Sequence, residues 1–258
     1  MPLLDPGRRR QWRQHVEPAA VILAGVLAAT TVGVIIHSRA THGDPPAAAA
    51  PTVAAPTAEQ VPIPLPSATP TPSMTPIDSI VVERVPVAAT VDLDAEGTVD
   101  WVHWGEQGRF SLERDRGGDF TILEGTPGES RQRHTASPER FTWTGGEPMA
   151  ASSGVTSGIR TCGAGNGFTL SAPATTGSHT LKLYVGVIEA RGSLRLRLST
   201  GGEAYIDHFE GRGDSMATTA YVVSYRASGT GKISIKWITD AAFDEDCGGV
   251  ALQAATLS

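Results

Sequence analysis

Residues 179–190 read HTLKLYVGVIEA. Leu181, Leu183, Val185 and Val187 share one face of an extended chain, while Lys182, Tyr184 and Gly186 share the other. This period of two belongs to a strand with one dry and one wet face. Working outward, residues 193–199 (SLRLRLS) alternate Leu194, Leu196 and Leu198 with Arg195 and Arg197, and residues 232–237 (KISIKW) alternate Ile233, Ile235 and Trp237 with Lys232, Ser234 and Lys236. Residues 221–225 (YVVSY) and 250–257 (VALQAATL) continue the pattern. Turn signals separate these runs at Ala190-Arg191-Gly192, Thr200-Gly201-Gly202 and Gly229-Thr230-Gly231. No amphipathic helix stands out after residue 80. The expected fold for residues 80–258 is therefore all-β, an antiparallel β-sandwich or jelly roll.

Upstream the periodicity vanishes. Residues 19–36 (AAVILAGVLAATTVGVII) form an 18-residue run without charge or proline. As a helix it spans ~27 Å, close to a hydrocarbon core of ~30 Å. Arg8, Arg9, Arg10 and Arg13 precede it and only Arg39 follows closely. The positive-inside rule then places a cytoplasmic tail at 1–18, a single-pass transmembrane helix at 19–37 and the remaining chain outside the cell membrane. A cleaved signal peptide, cut near Ser38-Arg39-Ala40, is the competing reading, and it leaves the main domain on the same side. Residues 38–79 read as a disordered linker rich in Pro, Ala and Thr. Ten prolines between residues 41 and 77 remove backbone donors and disfavour helix.

Composition removes several classes. The chain has 258 residues and a net charge of −6, and residues 78–258 carry 16 Lys+Arg against 23 Asp+Glu, a net of −7. No basic surplus exists to hold nucleic acid. Phosphate-rich polymers and anionic lipid should be repelled, which leaves a neutral glycan or an envelope protein as the expected partner. Two cysteines, Cys162 and Cys247, are too few for a disulfide scaffold. Outside the cytoplasm two thiols pair, and a closed loop of 85 residues is worth ~4–5 kcal/mol on a chain-entropy account.

Residues 91–105 (VDLDAEGTVDWVHWG), 141–145 (FTWTG), 165–174 (GNGFTLSAPA), 181–190 (LKLYVGVIEA) and the ending 249–257 together resemble an accessory β-sandwich module of secreted bacterial proteins. That module is similar to galactose-binding-like, carbohydrate-binding jelly rolls. The resemblance covers roughly residues 88–258 and implies a noncatalytic carbohydrate-binding domain. The chain differs by its two cysteines and by the lack of a hydrolase domain beside the module.

Sugar recognition uses flat aromatic faces with polar groups around them. Trp101 and Trp104 are three apart, so on a strand they face opposite ways, one inward and one available to a ligand. Tyr184 lies on the polar phase beside Lys182, and His103 adjoins the tryptophans, so Trp101, His103, Trp104 and Tyr184 are the expected ligand contacts. Trp143 and Trp237 fall on apolar phases and are expected in the core. Asp92, Asp94 and Glu96 look like the opening of a calcium loop but lack its twelfth-position Glu, where His103 stands. Asp244 and Asp246, with Glu245, form a second acidic group that would share a structural calcium if the two strand ends met. No other cofactor is expected.

Enzyme motifs fail. Gly213-Asp214-Ser215 mimics an esterase block, yet no His follows the Ser. Ile159-Arg160-Thr161-Cys162 mimics the end of a sortase strand, and a transpeptidase would need Cys162 free beside a base such as His103. Two noncatalytic readings remain. A carbohydrate-binding module predicts an exposed aromatic flanked by polar side chains in a shallow groove or loop end. A structural or protein-interaction module predicts that every Trp and Tyr is buried or isolated and that a flat sheet face is free instead.

Overall fold

The computed structural model describes residues 77–258. The expected cytoplasmic tail, the transmembrane helix 19–37 and nearly all of the linker 38–79 lie outside the described residues. Among the described residues no helix is long and apolar enough to cross a membrane.

In chain order the elements are β1 (Ser79–Val85), β2 (Thr90–Asp92), α1 (Leu93–Glu96), β3 (Asp100–Trp104), β4 (Leu112–Asp115), β5 (Leu123–Glu124), β6 (Gln132–His134), β7 (Arg140–Thr144) and β8 (Gly146–Glu147). They continue with β9 (Ala151–Val155), β10 (Gly158–Arg160), β11 (Gly167–Ala174), β12 (His179–Ile188), β13 (Ala190–Leu198), β14 (Tyr205–Gly211), β15 (Ala217–Arg226), β16 (Gly231–Ala242) and β17 (Gly249–Leu257). The expected strands are all present, and α1 is a single turn.

Two antiparallel sheets face each other. The nine-stranded sheet runs β1-β15-β12-β17-β3-β4-β8, with β10 on β17 and β6 on β10. The five-stranded sheet runs β14-β13-β16-β11-β5. Strand β17 forks the larger sheet: Leu252 and Ala251 pair with β10, while Ala254 to Leu257 pair with β3. The alternating residues read from sequence meet between the sheets. Leu181, Leu183, Val185 and Val187 pack there with Leu194, Leu196, Leu198, Ile233, Ile235 and Trp237. At ~25 cal/mol per Å² of apolar surface, this layer is the main source of stability.

A third layer departs from a plain sandwich. Strands β2, β7 and β9 form a small sheet, with β2 parallel to β7. Val91, Leu93, Phe141 and Trp143 from this layer pack on Trp101, Tyr184, Ala220 and Ala254, which project from the outer face of the nine-stranded sheet. The outer face of that sheet is therefore covered around β3, β12 and β17, while Val81, Glu83, Ser224 and Arg226 at its β1–β15 edge stay exposed.

The connection from β12 to β13 passes from one sheet to the other. Glu189 forms the corner with a φ of +43°, so the bend falls one residue before the expected Ala190-Arg191-Gly192 turn. Gly192 lies within β13, where a Cβ would stand 2.2 Å from the Trp237 ring. The glycine is there for close approach, not for turning. The other two turns fall where expected, with Gly201 and Gly202 at φ +143° and +77°.

Cys162 and Cys247 form the expected disulfide, with Cα atoms 4.6 Å apart. It ties the loop after β10 to the loop before β17. Gly163 N–H donates to the Gly248 carbonyl at 2.8 Å, and a Cβ on Gly249 would lie 1.8 Å from the Thr161 carbonyl oxygen. The two loops thus cross in direct backbone contact.

Gly192→Ala is expected to destabilise the domain by about 1–3 kcal/mol through overpacking against Trp237. A denaturant midpoint equal to that of the unaltered protein would refute this close approach.

Candidate functional site

The expected ligand contacts are all in the core. Trp101, His103 and Trp104 are 0% exposed and Tyr184 is 1% exposed. Strand β3 does send Trp101 and Trp104 to opposite faces, as its period requires. Both faces are dry, however: Trp104 enters the layer between the sheets and Trp101 the layer under β7. Trp104 Nε1 donates to Glu124 at 2.9 Å, and Trp101 Nε1 donates to Asp94 at 3.0 Å. Tyr184 sits on the polar phase of β12, but the third layer covers that phase, and its hydroxyl donates to Glu96. Burial and the Glu96 carboxylate push the Tyr184 phenol well above its usual range. None of the four presents a face on which a sugar could stack. Trp143 and Trp237 are core residues, as expected, each 1% exposed.

His103 lies between aromatic rings, 5.0 Å from Trp143 and 5.5 Å from Phe141 by centroids. Burial lowers its imidazole pKa to about 3. Cys162 is bonded to Cys247, and the described residues contain no free cysteine. A sortase-like Cys162–His103 pair is thus replaced by a disulfide and a neutral core imidazole.

The calcium candidates already have other work. Asp92 caps α1, accepting from the Asp94 and Ala95 N–H groups at 3.1 and 3.2 Å. Asp94 accepts from Trp101 and from the Thr144 N–H and hydroxyl. Glu96 accepts from Lys182 at 2.9 Å and from Tyr184. Asp244 accepts from the Asp246 and Cys247 N–H groups, shaping the turn before β17. Tyr184, held by Glu96, is opposite Ala254, five residues along β17 from Gly249. At ~3.4 Å per residue the two acidic groups are roughly 17 Å apart. No cluster of three or more His, Cys, Asp or Glu able to hold a metal occurs among the described residues.

One broad sheet face remains open, the outer face of the five-stranded sheet. The register places Arg195 opposite Lys236, and Lys236 opposite Thr169. In the next row Arg197 is opposite Ser234, Ser234 opposite Ser171, and Ser171 opposite Leu123. Arg195, Arg197, Ser234 and Lys236 line a groove of about 520 Å³. It continues into a second of about 340 Å³, lined by Leu123, Glu124, Thr169, Ser171, Lys232 and Lys236 among others. The exposed aliphatic side chains Ile206 and Leu123 stand on β14 and β5, the two edge strands.

The electrostatics of this face oppose the domain average. Arg195, Arg197, Lys232 and Lys236 are exposed, and among the described residues their side chains make no ion pair, hydrogen bond or ring contact. By contrast Arg84, Arg131, Lys182 and Arg191 each have a carboxylate partner. Glu124 is the only acidic residue lining either groove, and both of its oxygens are taken by Arg131 and Trp104. Sequence reading saw these cations as the wet side of an alternation. The missed signal was that residues 193–199 and 232–237 contain no acid to balance them.

Two other features are weaker. Phe110, Phe120 and Phe243 are exposed loop aromatics, but an Arg guanidinium already lies over each ring, at 4.7, 5.5 and 4.4 Å. A cleft of about 360 Å³ between Asp78, Glu203 and half-buried Tyr205 adjoins the point where the described chain begins.

The architecture is that of an antiparallel β-sandwich. No protein-family model matches the chain, and no curated protein matches it. Among solved structures it is similar to a family 6 carbohydrate-binding module studied for its binding sub-sites, at 17% identity over 54% of this chain and 93% of that one, with a TM-score of 0.30. It is similar to TmCBM61 in complex with β-1,4-galactotriose, at 9% identity over 53% of this chain and 86% of that one, TM-score 0.27. It is also similar to a carbohydrate-binding module from Cellvibrio mixtus lichenase 5A in complex with cellotriose, at 15% identity over 61% and 95%, TM-score 0.27.

Arg195 and Lys236 are like charges directly opposite each other on one face, an unfavourable arrangement. Arg195→Gln is expected to stabilise the free protein by ~0.2–1 kcal/mol at low salt, with the gain fading as salt screens the pair. Chemical denaturation at two ionic strengths checks this, and a loss of stability at low salt would mean that Arg195 has a compensating partner.

Proposed function

We propose that the chain is a noncatalytic binding module for carbohydrate, displayed outside the cell membrane by the helix 19–37 on the proline-rich linker 38–79. The ligand lies along the open face of the five-stranded sheet. The observation that carries this reading is that this face keeps clustered hydrogen-bonding side chains without internal partners along a groove. A polyhydroxylated ligand supplies acceptors for the Arg195, Arg197 and Lys236 donors and partners for the Thr169, Ser171 and Ser234 hydroxyls. Recognition is then polar rather than by aromatic stacking, since the four described tryptophans are buried. The disulfide agrees with an oxidising compartment. The resemblance of residues 88–258 to galactose-binding-like modules points the same way.

The buried tryptophans also suit the second reading, a protein-interaction or structural module of the envelope, which uses the same free face for a folded partner.

A glycan array probed with the full chain in detergent separates the two. Binding to a glycan, lost at least tenfold when Ser171 and Ser234 are both changed to bulky Leu, is the expected result. Silence across neutral and acidic glycans alike would remove the carbohydrate reading and leave the protein-interaction module.

A further inference from the structure

The domain carries a net charge of −7, and that average led to the expectation of a neutral ligand. Charge acts locally, however. At physiological salt, fields between exposed groups are largely screened beyond about 8 Å. Neighbouring strands are ~4.8 Å apart and alternate residues ~7 Å apart, so Arg195, Arg197 and Lys236 lie within one screening length of their neighbours. A ligand in this groove meets these cations and not the acids of the loops.

The cations are also poised for anions. Arg195 and Arg197 offer guanidinium forks, which match the two oxygens of a carboxylate or phosphate. Lys232 and Lys236 offer point charges on the next strand. The one carboxylate in the groove wall, Glu124, is turned to Arg131 and Trp104. The protein's own acids therefore do not compete. The like-charge Arg195–Lys236 pair gains a favourable environment only when an anion sits between its members.

We infer that the open face of the five-stranded sheet selects a glycan bearing oxyanions, carboxylate or phosphate, along its chain. This rests on the carbohydrate reading above and replaces the neutral-glycan expectation. Sugar hydroxyls meet Thr169, Ser171 and Ser234, while the charged substituents meet Arg195, Arg197 and the two lysines. Such a ligand supplies what the fold leaves missing, a counter-charge for cations that have none.

The test uses the full chain in detergent with three probes: polygalacturonate, its fully methyl-esterified form, and a phosphomannan. The ester keeps the sugar backbone of the first probe and removes its charge. At least tenfold tighter binding of polygalacturonate than of its ester is expected if carboxylate is read, and tight phosphomannan binding if phosphate is read. In either case Arg197→Gln lowers affinity at least fivefold, and added salt weakens binding. Arg226→Gln is the control: Arg226 is exposed and unpartnered among the described residues but lies on β15 of the other sheet. Its removal changes net charge equally and is expected to leave affinity unchanged. Melting temperature read in parallel shows that each variant is folded.

Equal binding of the ester and the acid, with no phosphomannan binding, would overturn the anionic inference while the carbohydrate reading stands. Equal losses from Arg197→Gln and Arg226→Gln would overturn it too, since only net charge would then matter. No binding to any of the three probes, together with binding to uncharged glycans on the array, would again reject only this inference. Silence to every glycan rejects both.

Discussion

Asp94 and Glu96, two residues of a single helical turn, close the outer face of the nine-stranded sheet. Asp94 accepts from Trp101 and Thr144, joining β3 to β7. Glu96 accepts from Lys182 and Tyr184, joining the same turn to β12. These charge-assisted bonds sit over a layer of Val91, Leu93, Phe141 and Trp143. Once that layer is in place, Trp101, His103, Tyr184, Ala220 and Ala254 on the outer face of the large sheet are removed from solvent, while Val81, Ser224 and Arg226 at its β1–β15 edge remain exposed.

The covering layer also explains the buried imidazole of His103. His103 projects into it and stacks on Trp143 and Phe141, so its imidazole stays neutral well below its ordinary pKa. His134 is lowered to about 4, first by burial and then by Arg160 and Arg133. The unfolded chain binds these protons near pH 6.5 and the folded one far below it. Stability conferred by the neutral rings is therefore complete above pH 6.5 and declines as pH falls toward 4 and 3. Both rings are interior groups, with His103 0% and His134 8% exposed. At the opposite end of β17, the disulfide and the Asp244 turn hold two crossing loops together. The acidic groups that looked like one cation site thus serve separate local tasks at separate ends of a strand.

Charge separates in the same spirit. The acids of this domain are largely spent on caps, on ion pairs and on exposed loops, while four cations gather on the open face of the five-stranded sheet. A whole-domain net charge describes long-range repulsion. The short-range field in a groove depends on the few residues that line it.

The period-two alternations at 179–190, 193–199 and 232–237 were enough to establish the class of fold, because inward side chains on a sheet must be apolar whatever the topology. The pairing of Cys162 with Cys247 was equally legible, since two thiols leave one choice. Membrane topology and the linker were read from residues outside those described and stand as readings of the sequence alone. Alternation could not say how many faces of a sheet are covered. A polar-phase Tyr184 and a Trp101 opposite Trp104 look the same in sequence whether the outer face meets water or another layer. That depended on α1, β2, β7 and β9, elements short in sequence and distant from β12, folding back over the sheet. Long-range packing, not local pattern, decided which aromatic residues were buried and which sheet surface stayed exposed.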